Sequence, residues 1–310
     1  MRYINPHAPK HRHTLRDFLR WQFGFYKEPV LDDDKSVQIP DLPLALDPKR
    51  PYATWINHST YLIAIDGWRF LTDPIWSKRC SPVDFIGPKR RHPPGKGLHE
   101  LPPVHIVLIS HNHYDHLDKH TVLTLHKRFP QILWCVPSGL KNWFLKRGIT
   151  HVQELAWWET HTQGEMRITS VPAQHFSGRS LRDTNRTHWC GYVVEIGEKK
   201  RFYFAGDTGY NPSDFKQIGR QFAPLDLSLI PIGSYKPRFF MQPVHLNPAE
   251  ALLVHRDVGS RLSLAMHWHT FRLADEPMQR PPYDLYHAIK KAGIPPQQFL
   301  VLKPGDAINW

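Results

Sequence analysis

The chain has 310 residues, 41% of them hydrophobic, and its 40 basic and 28 acidic side chains give a formal net charge of +12. Its apolar runs are too short to cross a bilayer, and the first residues lack the apolar segment of a secretory signal. Three cysteines (Cys80, Cys135 and Cys190) are too few for a disulfide framework and favour a reducing compartment. We therefore expect a cytoplasmic globular protein, which is also compatible with peripheral contact at the inner face of a membrane. The positive charge favours anionic lipid, phosphorylated substrates or nucleic acid, although a solvated basic face explains it equally well.

The first 50 residues differ in character from the rest. They are irregular and proline-bearing, and we predict an N-terminal extension (1–50) that packs on a single domain at 51–310. The extension combines aromatic side chains with cations, which either pack on the core or lie among lipid headgroups. These residues are Phe18, Leu19, Trp21, Phe23, Phe25 and Tyr26, with Arg12, Arg16, Arg20 and Lys27.

The domain begins with a predicted β-hairpin. Residues 61–65 and 68–72 are apolar and flank an Asp66-Gly67 turn. Asp73 follows the second strand and is either an ordinary turn residue or a carboxylate that orients a metal-ligating histidine. A long loop comes next, and its basic segment 89–96 either binds a phosphate or is simply solvated.

The densest cluster of candidate ligands follows a buried strand, predicted from the apolar run 104–109. In extended backbone, positions i and i+2 point to the same side, so His111 and His113 can bind one metal ion together. Asp115 and His116 come after the chain turns and can bind a second ion beside the first. Asp118 is well placed to cap a helix that ends at about residue 129.

Three later predicted strands each end in a further candidate ligand. The segment 166–173 precedes His175, 201–205 precedes Asp207, and 261–266 precedes His267. Other predicted elements are strands at 131–136, 152–155, 190–196 and 225–231, and helices at 139–147 and 248–256, the last capped by Asn247. Because sites assemble at strand ends and their loops, these residues are expected to converge. These three residues and the four of the first cluster make seven candidate ligands, which is more than one tetrahedral zinc ion needs and fits a two-metal site.

Three motifs carry a resemblance to a known family. They are His111-Asn112-His113-Tyr114-Asp115-His116, Gly206-Asp207-Thr208-Gly209 and Met266-His267-Trp268. They resemble the metallo-β-lactamase superfamily and, within it, the phospholipases D that hydrolyse N-acylphosphatidylethanolamine. The likeness covers about residue 50 to the C-terminus. It implies an α+β fold, the αββα sandwich of two mixed β-sheets flanked by helices, with a dinuclear site at one edge.

The resemblance also implies roles for single residues. The ligands of two Zn²⁺ ions per chain would be His111, His113 and His175 for one ion, and Asp115, His116 and His267 for the other, with Asp207 bridging them. Asp115 and Asp207 would act in catalysis, and Tyr114 and His245 would line the substrate site. His58 and Asp73 are uncertain candidates for positions around the ligands. His269 stands where relatives commonly carry glycine, and it either competes with His267 as ligand or projects into the pocket.

The activity implied by the resemblance is phospholipase D-type cleavage of N-acylphosphatidylethanolamine to N-acylethanolamine and phosphatidic acid by a metal-bridging hydroxide. One alternative is a metal-dependent hydrolase of a soluble substrate, such as a sugar-phosphate lactone, a phosphodiester or a nucleic acid. The other is a non-catalytic module that binds metal or nucleic acid, against which the complete ligand set argues. No specific nucleic-acid-binding motif accompanies the charge, and the sequence leaves the oligomeric state open.

Overall fold

The computed structural model of the chain describes residues 2–7, 46–180, 182–197 and 200–310. Its strands are β1 Tyr52–Asn57, β2 Thr60–Ile65, β3 Trp68–Thr72, β4 Ile106–Leu108, β5 Leu133–Pro137, β6 Val152–Leu155, β7 Thr160–Gln163, β8 Met166–Val171, β9 Gly191–Ile196, β10 Lys200–Phe204, β11 Leu225–Pro231, β12 Ser260–Met266, β13 Phe299–Leu300 and β14 Ala307–Asn309. Its α-helices are α1 Lys119–Arg128, α2 Lys141–Leu145, α3 Pro212–Phe222, α4 Arg238–Met241, α5 Pro248–Asp257 and α6 Arg280–Ala292. Short 3₁₀ helices lie at Leu98–Glu100 and Pro296–Gln298.

The strands form two mixed sheets of seven strands each. The first has the order β14-β1-β2-β3-β4-β5-β6, antiparallel from β14 to β3 and parallel from β3 to β6. The second has the order β13-β12-β11-β10-β9-β8-β7, parallel from β13 to β10 and antiparallel from β10 to β7. Parallel neighbours need crossover connections, and helices α1, α2, α3, α5 and α6 lie in these connections.

The two sheets pack face to face, and their apolar inner faces form the main core. The Phe70 ring of the first sheet meets the Phe202 ring of the second edge-on at 5.1 Å. The Tyr61 hydroxyl donates a hydrogen bond across the interface to the Ala265 carbonyl at 2.7 Å. Aromatic side chains of this size bury a large apolar area, which stabilises the sandwich.

Helices cover the outer face of each sheet. Val122 and Leu125 of α1 pack with Trp134 of β5 on the first sheet. On the second sheet, α5 contacts β11 and β12, and α3 and α6 pack against α5. The layers therefore run helix, sheet, sheet, helix, and the predicted αββα sandwich of two mixed sheets is confirmed.

Predictions based on short-range signals are mostly confirmed. The hairpin of β2 and β3 is present, and Asp118 caps α1 by accepting a hydrogen bond from the His120 backbone. Asn247 and Glu250 form a reciprocal capping box at the start of α5. Several predicted elements are shorter in the structure: the run 104–109 contributes only Ile106–Leu108, the segment 166–173 only Met166–Val171, and the helix at 139–147 is Lys141–Leu145. Strands β1, β7, β13 and β14 and helices α3, α4 and α6 were not predicted.

The predicted N-terminal extension falls partly within the described residues. Its aromatic and cationic cluster lies outside them, in residues 8–45. Residues 2–7 contact the domain, where Asn5 Nδ2 donates to the His175 carbonyl at 2.6 Å and the Tyr3 ring stacks on His188 at 4.3 Å. The boundary at residue 50 stays a prediction. In the described part of the chain, every helix falls short of the length and apolarity needed to cross a membrane.

Candidate metal centre

The candidate ligands meet where several strands end at one edge of the sandwich. The turn after β4 carries His111 to His116, and the segments after β8, β10 and β12 carry His175, Asp207 and His267. Five of the seven side chains are buried, and His113 and Asp115 are half-buried. They form adjoining groups, and within each group the ligand atoms lie within 4.8 Å of one another. The structure thus brings together the residues that the sequence places at separate strand ends.

The first group consists of His111, His113 and His175. Nδ1 of His113 lies 2.8 Å from Nε2 of His111 and 3.3 Å from Nε2 of His175. The far nitrogens of two of these rings are fixed, since Nδ1 of His111 meets the Ser110 hydroxyl at 2.8 Å and Nδ1 of His175 meets the Val244 carbonyl at 2.9 Å. Burial lowers the pKa of His113 to about 3 and that of His175 to about 4. Both rings are therefore neutral, which is the form that binds metals.

The second group surrounds Asp115. Its Oδ2 lies 3.2 Å from Nε2 of His116, 3.5 Å from Nε2 of His267 and 3.0 Å from Nε2 of His58. Burial by itself would raise the pKa of Asp115, but the neighbouring His116 and the other histidines hold it well below its usual range. Asp115 is therefore ionised, and its carboxylate can bind a metal ion.

Asp207 lies between the two groups. Its Oδ2 is 2.9 Å from Nε2 of His267, 3.2 Å from Nε2 of His116 and 3.8 Å from Nε2 of His175. The same oxygen thus reaches histidines of both groups, which is the position that a bridging ligand requires.

Asp73 orients His116. Its Oδ2 lies 2.6 Å from Nδ1 of His116, and its Oδ1 accepts a hydrogen bond from the Ser110 backbone at 2.7 Å. The Asp73 side chain is fully buried, and burial raises its pKa, although His116 opposes the shift. Of the two interpretations left open by the sequence, the structure favours the orienting carboxylate, since a hydrogen bond at Nδ1 leaves Nε2 of His116 facing the site.

Three further histidines, His58, His245 and His269, occupy different positions around the site. His58 contacts Asp115, as described above, and is buried behind it. Nδ1 of His245 is 4.0 Å from Oδ2 of Asp207, so His245 borders the candidate ligands. His269 stacks on His92 with ring centroids 5.0 Å apart, and it belongs to none of the ligand groups found in the described residues. The geometry therefore favours His267 over His269 as ligand.

Tyr114 lines a cavity of about 350 Å³ beside the cluster. Three basic side chains, Lys119, Arg147 and Arg179, also line it, together with Trp143. The Arg179 guanidinium lies 4.5 Å from the centroid of the Tyr114 ring. These three cations outnumber the two carboxylates of the lining, Asp84 and Asp118, and together with the aromatic rings they suit an anionic group with an apolar portion.

Sequence reasoning missed two residues that hold the ligands in place. The Arg179 guanidinium donates to the carbonyls of Asn112 and Leu117, at either end of the His113 to His116 turn. The Asn5 side chain bonds both the carbonyl and the N–H of His175. No local pattern marks either residue, because their partners are 62 to 170 positions away in the chain.

The donor set fits a metal site. The ion-pair partners of Asp115 and Asp207 are histidines. Nε2 of His116, both ring nitrogens of His267 and Oδ1 of Asp207 are buried and make no hydrogen bond to any described residue, although buried polar atoms are normally paired. Unpaired imidazole nitrogens and carboxylate oxygens that converge on one point are the ligands preferred by zinc and similar divalent metals.

Comparison with known proteins assigns the chain to a family. The model of the β-lactamase superfamily domain matches residues 68–268. The chain belongs to the β-lactamase superfamily. Its fold is that of the metallo-β-lactamases, and a metallo hydrolase from the archaeon Ignicoccus hospitalis, 19% identical, superimposes with a TM-score of 0.62 over 84% of this chain and 98% of the other.

Several relatives carry the names of hydrolases. An N-acyl-phosphatidylethanolamine-hydrolyzing phospholipase D of Caenorhabditis elegans is 43% identical over 75% of this chain and 68% of its own length. The mitochondrial protein of that name in Saccharomyces cerevisiae is 38% identical over 74% of this chain, which spans half of the yeast protein. A metal-dependent hydrolase of Methanopyrus kandleri is 29% identical over 82% of this chain and 97% of its own length. The chain is therefore a hydrolase of the metallo-β-lactamase family with candidate metal-binding groups.

Proposed function

We infer that this hydrolase is a dinuclear zinc phosphodiesterase of the phospholipase D type, which cleaves N-acylphosphatidylethanolamine to N-acylethanolamine and phosphatidic acid. The observation that carries the proposal is the 43% identity, over 75% of the chain, to the worm protein whose name states this activity. Two adjoining groups of candidate ligands lie on either side of Asp207, and this arrangement supports a metal-dependent reaction.

Each zinc would have its own set of ligands. One set is His111, His113 and His175, the other is Asp115, His116 and His267, and Asp207 serves both. The chemistry that two such ions supply when bound is activation of water near neutral pH and neutralisation of charge on phosphoryl oxygens. His58 belongs to the second group by distance, but we assign it to Asp115, whose Oδ2 it contacts at 3.0 Å.

The surrounding residues keep the ligands in the form and orientation that metal binding requires. Ser110, Asp73 and the Val244 carbonyl occupy the far nitrogens of His111, His116 and His175. These contacts fix the tautomer and the ring plane, so that the free nitrogen of each ring points into the site. Preorganised ligands of this kind do not need to reorient when substrate binds.

Substrate recognition would fall to residues beside the ligands. The Tyr114 ring faces the cavity, where Lys119, Arg147 and Arg179 can attract a phosphate group. Nδ1 of His245 has no hydrogen-bond partner in the part of the chain that the structure describes, and it can bond to a phosphoryl or leaving-group oxygen. The basic lining also favours a second candidate substrate, a soluble phosphodiester, since the same cations would bind one without any lipid.

Product release from liposomes tests the proposal directly. Vesicles that contain N-acylphosphatidylethanolamine are incubated with the zinc-loaded protein, with and without a chelator, and products are identified by mass spectrometry. We expect chelator-sensitive release of N-acylethanolamine and phosphatidic acid, and about two zinc ions per chain by elemental analysis. A soluble phosphodiester is assayed in parallel. Turnover of the soluble compound alone would favour the second candidate, and turnover of neither would refute both.

Variants separate the assigned roles. His111→Ala and Asp207→Asn should lose zinc and all hydrolysis, because each removes a ligand. Tyr114→Phe keeps the ring against Arg179 and should retain zinc while substrate affinity changes. Equal loss of zinc in the three variants would contradict this division of roles.

A further inference from the structure

A loop beside the site exposes two adjacent apolar side chains to solvent. The loop comprises residues 77–91, and Phe85 and Ile86 at its tip are 81% and 63% exposed. Phe85 is the most exposed large apolar side chain in the described part of the chain. Single exposed apolar residues are common, but two neighbours at the tip of a projecting loop form a patch that favours an apolar partner.

The loop is held in shape by its own hydrogen bonds. Its two sides meet in a β-bridge between Arg79 and Lys89, and the Arg90 N–H donates to the Lys78 carbonyl at 2.8 Å. The Arg79 guanidinium bonds the Asp84 and Gly87 carbonyls on either side of the tip. An internally bonded loop presents Phe85 and Ile86 in a fixed position, so little conformational entropy is lost when they are buried by a partner.

The base of the loop is fastened to the domain next to the candidate metal centre. The Arg90 guanidinium donates to the carbonyls of Ser77 and Ile75 and lies 5.2 Å from the centroid of the Phe271 ring. Four loop residues line the same cavity as Tyr114. They are Ser77, Ser81, Pro82 and Asp84. The loop that carries the apolar tip therefore borders the Tyr114 cavity.

Basic side chains are exposed on the same loop and line the neighbouring cavity. Lys78, Lys89 and Arg91 are exposed on the loop, and Lys119, Arg147 and Arg179 line the cavity behind it. The opposing charge on the loop is Asp84. Apolar side chains within a cationic surface are the combination that binds an anionic lipid interface, where the side chains enter the acyl boundary and the cations meet the headgroups.

We propose that residues 77–91 form a membrane anchor, in which Phe85 and Ile86 insert into an anionic phospholipid bilayer and hold the Tyr114 cavity at the lipid surface. The anchor gives a lipid headgroup a short path into the site, and in this sense it rests on the proposed phospholipid substrate. Its binding step, however, requires neither metal nor turnover.

Vesicle sedimentation measures the anchor without any catalysis. The full-length protein and the double variant Phe85→Gln/Ile86→Gln are mixed with phosphatidylcholine vesicles, with or without added phosphatidylglycerol. Burying two large apolar side chains corresponds to roughly a 100-fold gain in partitioning, so the double variant should bind anionic vesicles about 100-fold more weakly. Lys78→Gln and Lys89→Gln should each weaken binding about fivefold, and only when the anionic lipid is present.

A matched control uses an exposed apolar residue on another part of the domain. Leu253 on helix α5 is 41% exposed, and Leu253→Gln should leave vesicle binding unchanged. Unchanged binding of the Phe85/Ile86 variant would overturn the proposal, as would an equal loss in the Leu253 variant. Light scattering covers a further outcome: a dimer that dissociates in the double variant while vesicle binding persists would assign the patch to self-association and overturn the anchor.

Hydrolysis of two substrate forms separates this inference from the proposed function. On vesicles, the double variant should lose activity in proportion to its binding, whereas on a monomeric short-chain N-acylphosphatidylethanolamine it should match the unsubstituted protein. Equal losses on both forms would overturn the anchor. If no form of the substrate is hydrolysed but the variant still loses vesicle binding, the proposed function fails and the anchor stands.

Discussion

Asp73→Asn offers the sharpest test of how the candidate ligands are oriented. The Asp73 carboxylate contacts Nδ1 of His116 at 2.6 Å, accepts the Ser110 N–H at 2.7 Å and is fully buried. Asparagine has the same shape and can still accept the Ser110 N–H through its oxygen. Its NH₂ group, however, would face Nδ1 of His116 and favour a proton on Nε2. The nitrogen expected to bind metal would then lack a free lone pair.

The expected magnitude follows from the bond that is lost. A hydrogen bond to a charged group contributes about 1.5–3 kcal/mol, which corresponds to roughly 10- to 100-fold in affinity. Substitution of a residue that orients a metal ligand typically lowers metal affinity by the same 10- to 100-fold. We therefore expect Asp73→Asn to fold normally and to bind zinc at least tenfold more weakly.

Competition with a zinc-binding fluorescent dye measures this affinity, and circular dichroism checks the fold. Asp118→Asn is the matched control, because Asp118 is another buried carboxylate of this region whose partners are Ser77, Thr121 and backbone N–H groups. Asparagine is also a good helix N-cap, so the control should keep its zinc affinity. Unchanged zinc affinity in folded Asp73→Asn, or an equal loss in Asp118→Asn, would refute the orienting role.

Substitutions at three further positions address contacts outside the ligand set. Arg179→Gln should weaken zinc binding several-fold in the dye assay, because the turn that carries four candidate ligands loses its two guanidinium bonds; normal zinc affinity in the folded variant would contradict this. Asn5→Ala should weaken zinc binding less, about threefold, because the His175 backbone loses both bonds to the Asn5 side chain. Asn5→Asp retains only the acceptor, so its zinc affinity should lie between those of the unsubstituted protein and Asn5→Ala. Asn247→Ala should lower the free energy of unfolding by about 1 kcal/mol in urea titration without altering zinc affinity. The Glu250 N–H at the start of α5 loses the Asn247 side-chain oxygen that accepts its hydrogen bond. An unchanged unfolding midpoint would count against this cap.

The parts of the fold that could be predicted from the sequence have short-range signals. The hairpin turn at Asp66-Gly67, the apolar run of β11 and the cap of α5 each depend on residues within a few positions of one another. Helix α6 was missed because Pro281 and Pro282 look like a loop, although proline is accommodated in the first turn of a helix. Strand β7 was missed because its side chains are mostly exposed and polar, so it lacks the alternation of a half-buried strand.

The same distinction holds within the site. The candidate ligands follow apolar strands, and their spacing within the His111 to His116 turn is visible in the sequence. The contacts that orient them are not, since Asp73 and His116 are 43 positions apart and Asn5 and His175 are 170 apart. Such pairs are fixed by sheet order and by the packing of loops, which no local pattern encodes. The sequence therefore predicts the ligands better than it predicts the hydrogen bonds that orient them.

Three residues of the candidate site have an unfavourable backbone conformation that the surrounding fold must stabilise. His58, Asp73 and His267 all have positive φ values, of 43°, 31° and 58°, in a region that non-glycine residues rarely adopt. Each costs of order 1–3 kcal/mol and persists only where neighbouring contacts fix it. Here the His267 N–H donates to the His58 carbonyl at 3.0 Å, and the Asp73 N–H donates to the Leu108 carbonyl at 3.0 Å. The strained residues are thus tied to each other and to the end of a central strand, so that sheet pairing supplies the free energy that keeps the histidines and carboxylates converged.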